Sequence, residues 1–300
     1  MKVILSRKGF DSAYGGIPSF ILPDKTMLSL PIPNINAVGT QRCFDNDKFS
    51  KVFLPNGMSA SEAIKTFKPT RTRLCPELRE TDLDSFRCHL DPDLYAGARA
   101  NRRAEWRGCF GQEGAPLTHL QNCSVGKDDL FLFFGWFCET ENYSKSRGKH
   151  ALFGYLQVEK RYDLPNSVKQ RKEIVPDWAE DHPHVASVRH GENNALFVAR
   201  KNLSFLPELP GWGLFTYSSE LDLTSPGMTR SRWKVIDAFK GSEPTHHSES
   251  SWKPNKNSPS YFQSAMIGQE FVFPDQDEGS GPVPLWAKSV IEAGMRDQRS

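Results

Sequence analysis

The stretch between residues 130 and 158 limits the possible folds of this chain more than any other. Within it, residues 131–137 hold five aromatic side chains in seven positions: Phe131, Phe133, Phe134, Trp136 and Phe137. Aromatic residues favour extended backbone, where their rings pack on a pleated surface. A polar break carrying Gly148 follows, and then a second apolar run, HALFGYLQV, over residues 150–158. Two extended runs around such a break read as a β-hairpin with a long loop. The first run is apolar on both sides, so it needs burial on both faces and is expected at the centre of the sheet.

Composition sets the outer limits. The chain has 300 residues, 38% hydrophobic and 25% charged, which fits a globular protein with a sizeable core. A single domain spanning residues 1–300 is expected. No apolar run approaches the roughly 18 residues that a membrane helix needs, and the opening MKVIL lacks the long apolar core of a signal peptide. A cytoplasmic protein with no membrane partner is therefore expected. A net charge of +2 neither demands nor excludes nucleic acid. The six cysteines (Cys43, Cys75, Cys88, Cys109, Cys123, Cys138) include no C-x-x-C pair, which argues against a zinc ribbon or a disulfide framework. Cys88-His89 with Asp91 and Asp93 offers metal-ligand types at no standard spacing. His182 and His184 offer two more, with no evident third ligand, so no metal is expected and the cofactor is left open.

Along the chain, a strand at residues 3–5 leads into a glycine-rich loop and proline-broken extended pieces. Residues 59–67 read as a helix capped by Ser59 or Ser61, with Ala63, Ile64 and Phe67 on one face. Residues 91–107, rich in Ala and Arg, suit a helix or an arginine-bearing loop. A polar connector over 162–192 precedes strands at 195–199, 213–217 and 233–236. Residues 241–264 turn polar and read as a long loop or disordered excursion. A strand at 269–273 and a helix at 285–296, with Trp286, Val290 and Ile291 on one side, complete the chain. The sum is a β-rich mixed α+β fold with few helices.

Chemistry concentrates at the first strand-to-loop junction, Ser6-Arg7-Lys8-Gly9-Phe10-Asp11-Ser12, continuing to Gly15 and Gly16. Glycines let backbone N–H groups approach a ligand, and such loops cradle phosphates, although neither the Walker A nor the G-x-G-x-x-G spacing is met. A plain glycine-rich turn with solvated charges is the alternative. Lys8 offers a point charge or a nucleophile, and Asp11 a base or an orienting partner. Arg7 should point to the opposite face of the strand from Lys8. His119, with Gln112 and Asn122, suits hydrogen bonding to a base edge, or else caps turns. Arg99, Arg102, Arg103 and Arg107 form either a solvated face or a phosphate-contacting patch. Tyr14, Trp106 and Trp136 are candidates for stacking on a base, with Trp136 better suited to the core. The candidate catalytic set is therefore Lys8, Asp11 and His119. The candidate substrate-binding set is Ser6, Arg7, Ser12, Gly15, Gly16, Gln112, Asn122 and Trp136.

Two resemblances add to this reading. Gly126-Lys127-Asp128-Asp129 before the aromatic strand, with Phe153-Gly154 and Val158 on the next, resembles the barrel core of PUA-like and EVE-like base-binding modules. The opening SRKGFDSAYGGIPS and the LSLPIP after it are similar to the start of the nucleotide modification associated domain 3 family. So are Phe110-Gly111-Gln112, the DLFLFFG strand, His182-Pro183-His184, Pro226-Gly227 with Trp233, and Gly268-Gln269-Glu270-Phe271-Val272. Lys127-Asp128-Asp129 departs from the Gly-Asp turn expected there. The resemblance implies a bacterial or bacteriophage protein connected with modified nucleobases in DNA. The expected function is an enzyme acting on DNA or a nucleotide, by group transfer to a base or exchange of the base at its glycosidic bond. The alternatives are a non-catalytic reader of modified bases and a structural subunit. Expected partners are DNA or a nucleotide substrate and other components of a base-modification system.

Overall fold

The computed structural model describes residues 1–34, 47–69, 72–76, 78–143, 148–187, 193–254, 260–265, 269–274 and 279–296. Cys43, Gly268 and the polar stretches 255–259 and 275–278 lie outside the described residues. In chain order the strands and α-helices are β1 (Val3–Arg7), β2 (Ser19–Ile21), β3 (Met27–Leu28), β4 (Ile32–Pro33), α1 (Ala60–Phe67), β5 (Cys88–His89), β6 (Cys109–Glu113) and α2 (Gly114–Asn122). They continue with β7 (Leu130–Glu139), β8 (Lys149–Asp163), α3 (Val168–Ile174), α4 (Pro183–Ala186), β9 (Asn194–Ala199) and β10 (Trp212–Leu214). The last are β11 (Arg232–Trp233), β12 (Trp252–Lys253), β13 (Tyr261–Gln263), β14 (Glu270–Phe273) and α5 (Pro282–Gly294).

The aromatic run forms β7 and pairs antiparallel with β8, as the hairpin reading requires. Phe131, Phe133, Phe134 and Phe137 are all fully buried. On its other side β7 takes β1 in parallel, with Ser6 opposite Phe133. Parallel neighbours need a long crossover, and the chain between β1 and β7 forms a second apolar cluster around Phe10, Phe20, Phe49 and Ile64. β14 adds antiparallel to β1, with Glu270 opposite Ser6. β9 and β6 extend the far side of β8, giving the order β14-β1-β7-β8-β9-β6. β10 pairs with β8, and β2 with β7.

This nine-stranded sheet curls into a half-barrel, and the molecule is a β-rich α+β fold with five α-helices among the described residues. Phe110, Phe131, Phe133 and Phe197 pack together within the curl, with ring centroids 4.9 Å apart for Phe110–Phe131 and 5.3 Å for Phe110–Phe133. On another face of the sheet, Phe134 and Phe271 pack against Trp233 from the small β11-β13-β12 sheet.

Local chemistry explains several elements. Ser59 accepts from the Glu62 N–H at 3.3 Å, and Glu62 Oε2 accepts from the Ser59 N–H at 2.8 Å, a reciprocal cap that starts α1. Residues 91–107 form the arginine-bearing loop of the two sequence readings, with one short 3-10 turn, Ala96–Ala98, and with the arginines drawn out to carboxylates. Other elements differ from the sequence reading. The 162–192 connector contains α3 and α4, fastened by buried Arg171 donating to the carbonyls of Pro165, Asn166 and Ser187. α2, which contains a proline and buries only Leu117 and Leu120, gives little apolar periodicity to read. Residues 241–264 include β12 and most of β13's pairing with β11. Among the described residues, no helix is long and apolar enough to cross a membrane.

Candidate functional site

The curl brings the two ends of the sheet path together. Gln112 Nε2, on β6, donates to Glu270 Oε1, on β14, at 2.5 Å. Strand alternation places Ser6 and Lys8 on one side of β1, and the Lys8 ammonium lies 4.5 Å from the centre of the Phe110 ring. From there it reaches Glu270 Oε1 at 3.4 Å and Asp91 Oδ2 at 4.0 Å. All three side chains are at most 5% exposed. Glu270 Oε2 and Ser6 Oγ are buried without a hydrogen-bond partner, and such atoms call for a ligand or water.

The segment carrying Asp91 runs along the free edge of β6. Asp93 exchanges backbone hydrogen bonds with Cys109, and Asp91 Oδ1 accepts from the Gly111 N–H at 2.7 Å. Outside this segment lies α4. His182 caps it, accepting from the His184 N–H through Nδ1 at 3.3 Å, which leaves the His182 ring proton on Nε2, 3.5 Å from Asp91 Oδ1. His184 Nδ1 lies 2.7 Å from Asn194 Oδ1, whose amide donates back to the His184 carbonyl. The donor atoms of His89, Asp91 and His184 all lie within 4.8 Å of one another. A cavity of about 50 Å³ borders Asp91, between Gly9, Ser29, Leu30 and Leu94.

The electrostatics follow from burial. Desolvation alone would raise the Asp91 carboxyl, but the His182 contact and the Lys8 charge outweigh it and hold the group far below the ordinary carboxylate range. His182 goes the other way: burial, the largest influence, overrides its attraction to Asp91 and lowers its pKa. The imidazole is thus kept neutral beside an ionised carboxylate.

The residues singled out from sequence fall into separate neighbourhoods. Lys8, Ser6 and Gln112 share the buried cluster. Asp11 Oδ1 accepts from the N–H groups of Ala13 and Tyr14 at 2.7 Å each, which ties the loop tip. Ser12 lies 3.5 Å from the Arg230 guanidinium, which stacks 4.0 Å over Trp136. Arg7, partly exposed, is on the Arg230 side rather than the Lys8 side. Gly15 and Gly16 have positive φ, and a Cβ on Gly16 would come within 2.6 Å of the Cys75 nitrogen. His119 bonds Thr245 at 2.9 Å and packs on His246, with Asn122 ending the same helix. Arg99 pairs with Asp47 and Arg102 with Asp93, whereas Arg103 and Arg107 pair with the exposed Asp177 and Glu159. Arg102 also stacks over Trp106.

Asp91, Glu270, His89 and His184 were not among the sequence candidates as one group. A lone acid opening the apolar strand EFVF was the available signal for Glu270. For the others, only the fold shows that the His89/Asp91 and His182/His184 pairs meet.

Fold and site together define a strand-rich α+β protein with a buried ammonium–carboxylate cluster at the seam of a curled sheet. The family model described as nucleotide modification associated domain 3 matches residues 2–274, and the chain belongs to that family. No curated protein and no solved structure matches it. Family membership supports a role in nucleotide modification, with nucleotides or nucleic acid as the matching substrate class.

Proposed function

We propose that this chain is an enzyme acting on a nucleobase or nucleotide, with Lys8 and Glu270 at its reacting centre. The observation that carries this reading is the unpartnered Glu270 Oε2, buried beside an ammonium only 3.4 Å from its sister oxygen. An acceptor and a donor held this close can take a proton from one atom of a base or sugar and give one to another. Ser6 Oγ supplies a further hydrogen bond, and Asp91 keeps Lys8 in place. Both group transfer to a base and exchange at the glycosidic bond use such a pair. Asp11, Ser12 and His119, from the sequence candidates, stand as contacts to the remainder of the substrate. The cavity beside Asp91 has room for little more than water, so seating a base requires the segment around residues 90–95 to move outward.

DNA is the proposed form of the substrate, ahead of the free nucleotide, with Arg103 and Arg107 as the phosphate contacts. The test is mass spectrometry of nucleosides after wild-type, Lys8→Met and Glu270→Gln proteins are incubated, in a small-molecule cell extract that supplies group donors and exchangeable bases, with DNA and, separately, with free nucleotides. A new mass formed by the wild type and absent with both folded variants supports the proposal. A nucleotide or DNA that binds and is recovered unchanged identifies a reader instead. No binding to either would favour a structural subunit.

A further inference from the structure

We infer that His89, Asp91 and His184 form a binding site for one divalent first-row transition-metal ion. Two imidazoles and one carboxylate are the donor set of catalytic zinc sites with an open position and of mononuclear iron(II) sites. His89 and Asp91 stand two residues apart, at the end of β5 and in the edge segment after it, whereas His184 comes from α4, far along the chain. Their donor atoms nevertheless lie within 4.8 Å of one another, and the His89 and His184 ring centroids are 5.1 Å apart. Metal bonds of about 2.1 Å put tetrahedral ligands roughly 3.4 Å apart. The widest pair must therefore draw in when an ion binds.

The surroundings are those of a ligand set. Ligating histidines characteristically donate their other ring N–H to an oxygen, which fixes the tautomer. His184 does this if Nδ1 donates to Asn194 Oδ1 at 2.7 Å, and the Asn194 amide is oriented by its own bond to the His184 carbonyl. The lone pair is then on Nε2. Asp91 is likewise aligned, by the Gly111 N–H at 2.7 Å. Gly111 leaves the space that His184 occupies, since a Cβ there would stand 2.1 Å from its Cδ2. Counted formally, the Asp91 and Glu270 carboxylates around the single Lys8 ammonium leave one negative charge in a buried site, and a cation would offset it. An ion there would share Asp91 with Lys8, 4.0 Å from its Oδ2, and with the cavity that Asp91 borders.

The inference goes beyond the proposed function and is tested without a substrate, so either can fail alone. Purified protein is stripped with chelator, titrated with Zn²⁺ by calorimetry, and loaded with Co²⁺ for its visible spectrum. Elemental analysis of the unstripped protein tells zinc from iron and manganese. One ion per chain is expected, with d–d bands of a nitrogen/oxygen site. His89→Ala, at a half-buried position, and His184→Ala should abolish stoichiometric binding, and Asn194→Ala should weaken Zn²⁺ about 10- to 100-fold. His246→Ala should leave it unchanged. Circular dichroism confirms that each variant is folded. Substoichiometric Zn²⁺ in the wild type, or unchanged affinity in folded His89→Ala and Asn194→Ala, would overturn the inference.

Discussion

Gln112 and Glu270 lie on strands at opposite ends of the sheet path, yet the Gln112 amide donates to the Glu270 carboxylate at 2.5 Å. This bond joins the seam of the curl and also sets the carboxylate that faces Lys8. Glu270→Ala removes the nearer partner of a buried ammonium, which typically costs about 3–5 kcal/mol. Gln112→Ala removes one bond to a charged acceptor, worth about 1.5–3 kcal/mol. Urea unfolding should show both losses in that order. Equal, small losses would mean that the seam is not held by these side chains.

Phe133 is fully buried between β1 and β8 and packs on Phe110, Phe131 and Phe153. Phe133→Ala should cost about 3–5 kcal/mol through lost transfer energy and the cavity left behind. A cost under about 1 kcal/mol would contradict its place at the centre of the core.

Gly111 is constrained by contact, not by an unusual φ. A methyl group there meets the His184 ring at 2.1 Å. Gly111→Ala should displace α4 from the β6 edge at a cost of about 1–3 kcal/mol, the range for overpacking. Hydrogen exchange should rise in residues 182–187 more than in β7. Unchanged protection in α4 would count against the packing of His184 on this glycine.

His150 gives a pH signature away from the candidate site. It is buried between Phe134 and Trp233 and accepts from the Trp233 indole N–H at 3.1 Å. Burial first, then the charges of Arg230 and Arg7, lower its pKa from 6.5 to about 3. The unfolded chain takes up this proton near 6.5 and the folded chain only near 3, so unfolding binds a proton between them. Stability should fall as the pH drops through that window, by up to about 1.4 kcal/mol per pH unit from this group. His150→Gln keeps an acceptor but cannot titrate, and should flatten the slope. An identical slope in wild type and variant would remove His150 as its source.

Arg103 is the most exposed of the four clustered arginines with a described partner, its side chain being 58% exposed. If DNA is the substrate, Arg103→Ala should lower the slope of log affinity against log salt by about 0.9. A preference for one base should persist, because phosphate contacts position the protein without reading sequence. An unchanged slope would take Arg103 out of the interface.

The apolar pattern by itself determined the frame of this protein. Phe131 to Phe137 dictate a strand buried on both faces, and the apolar run after Gly148 dictates its antiparallel neighbour, because side-chain period and turn chemistry are local properties. Ser59 and Glu62 likewise start α1 by bonds spanning three residues. Lys8 was legible as a candidate, since a cation at a strand-to-glycine junction is a local signal. Its partners were not. Asp91 follows it by 83 positions and Glu270 by 262, so only the curling of the sheet brings either carboxylate to the ammonium. The same holds for His89 and His184, which the sequence offers as ligand types in two incomplete sets and which meet only at the β6 edge, bare at Gly111. Secondary structure arises from neighbours in sequence, whereas a buried charge is tolerated only where tertiary packing supplies its counter-charge.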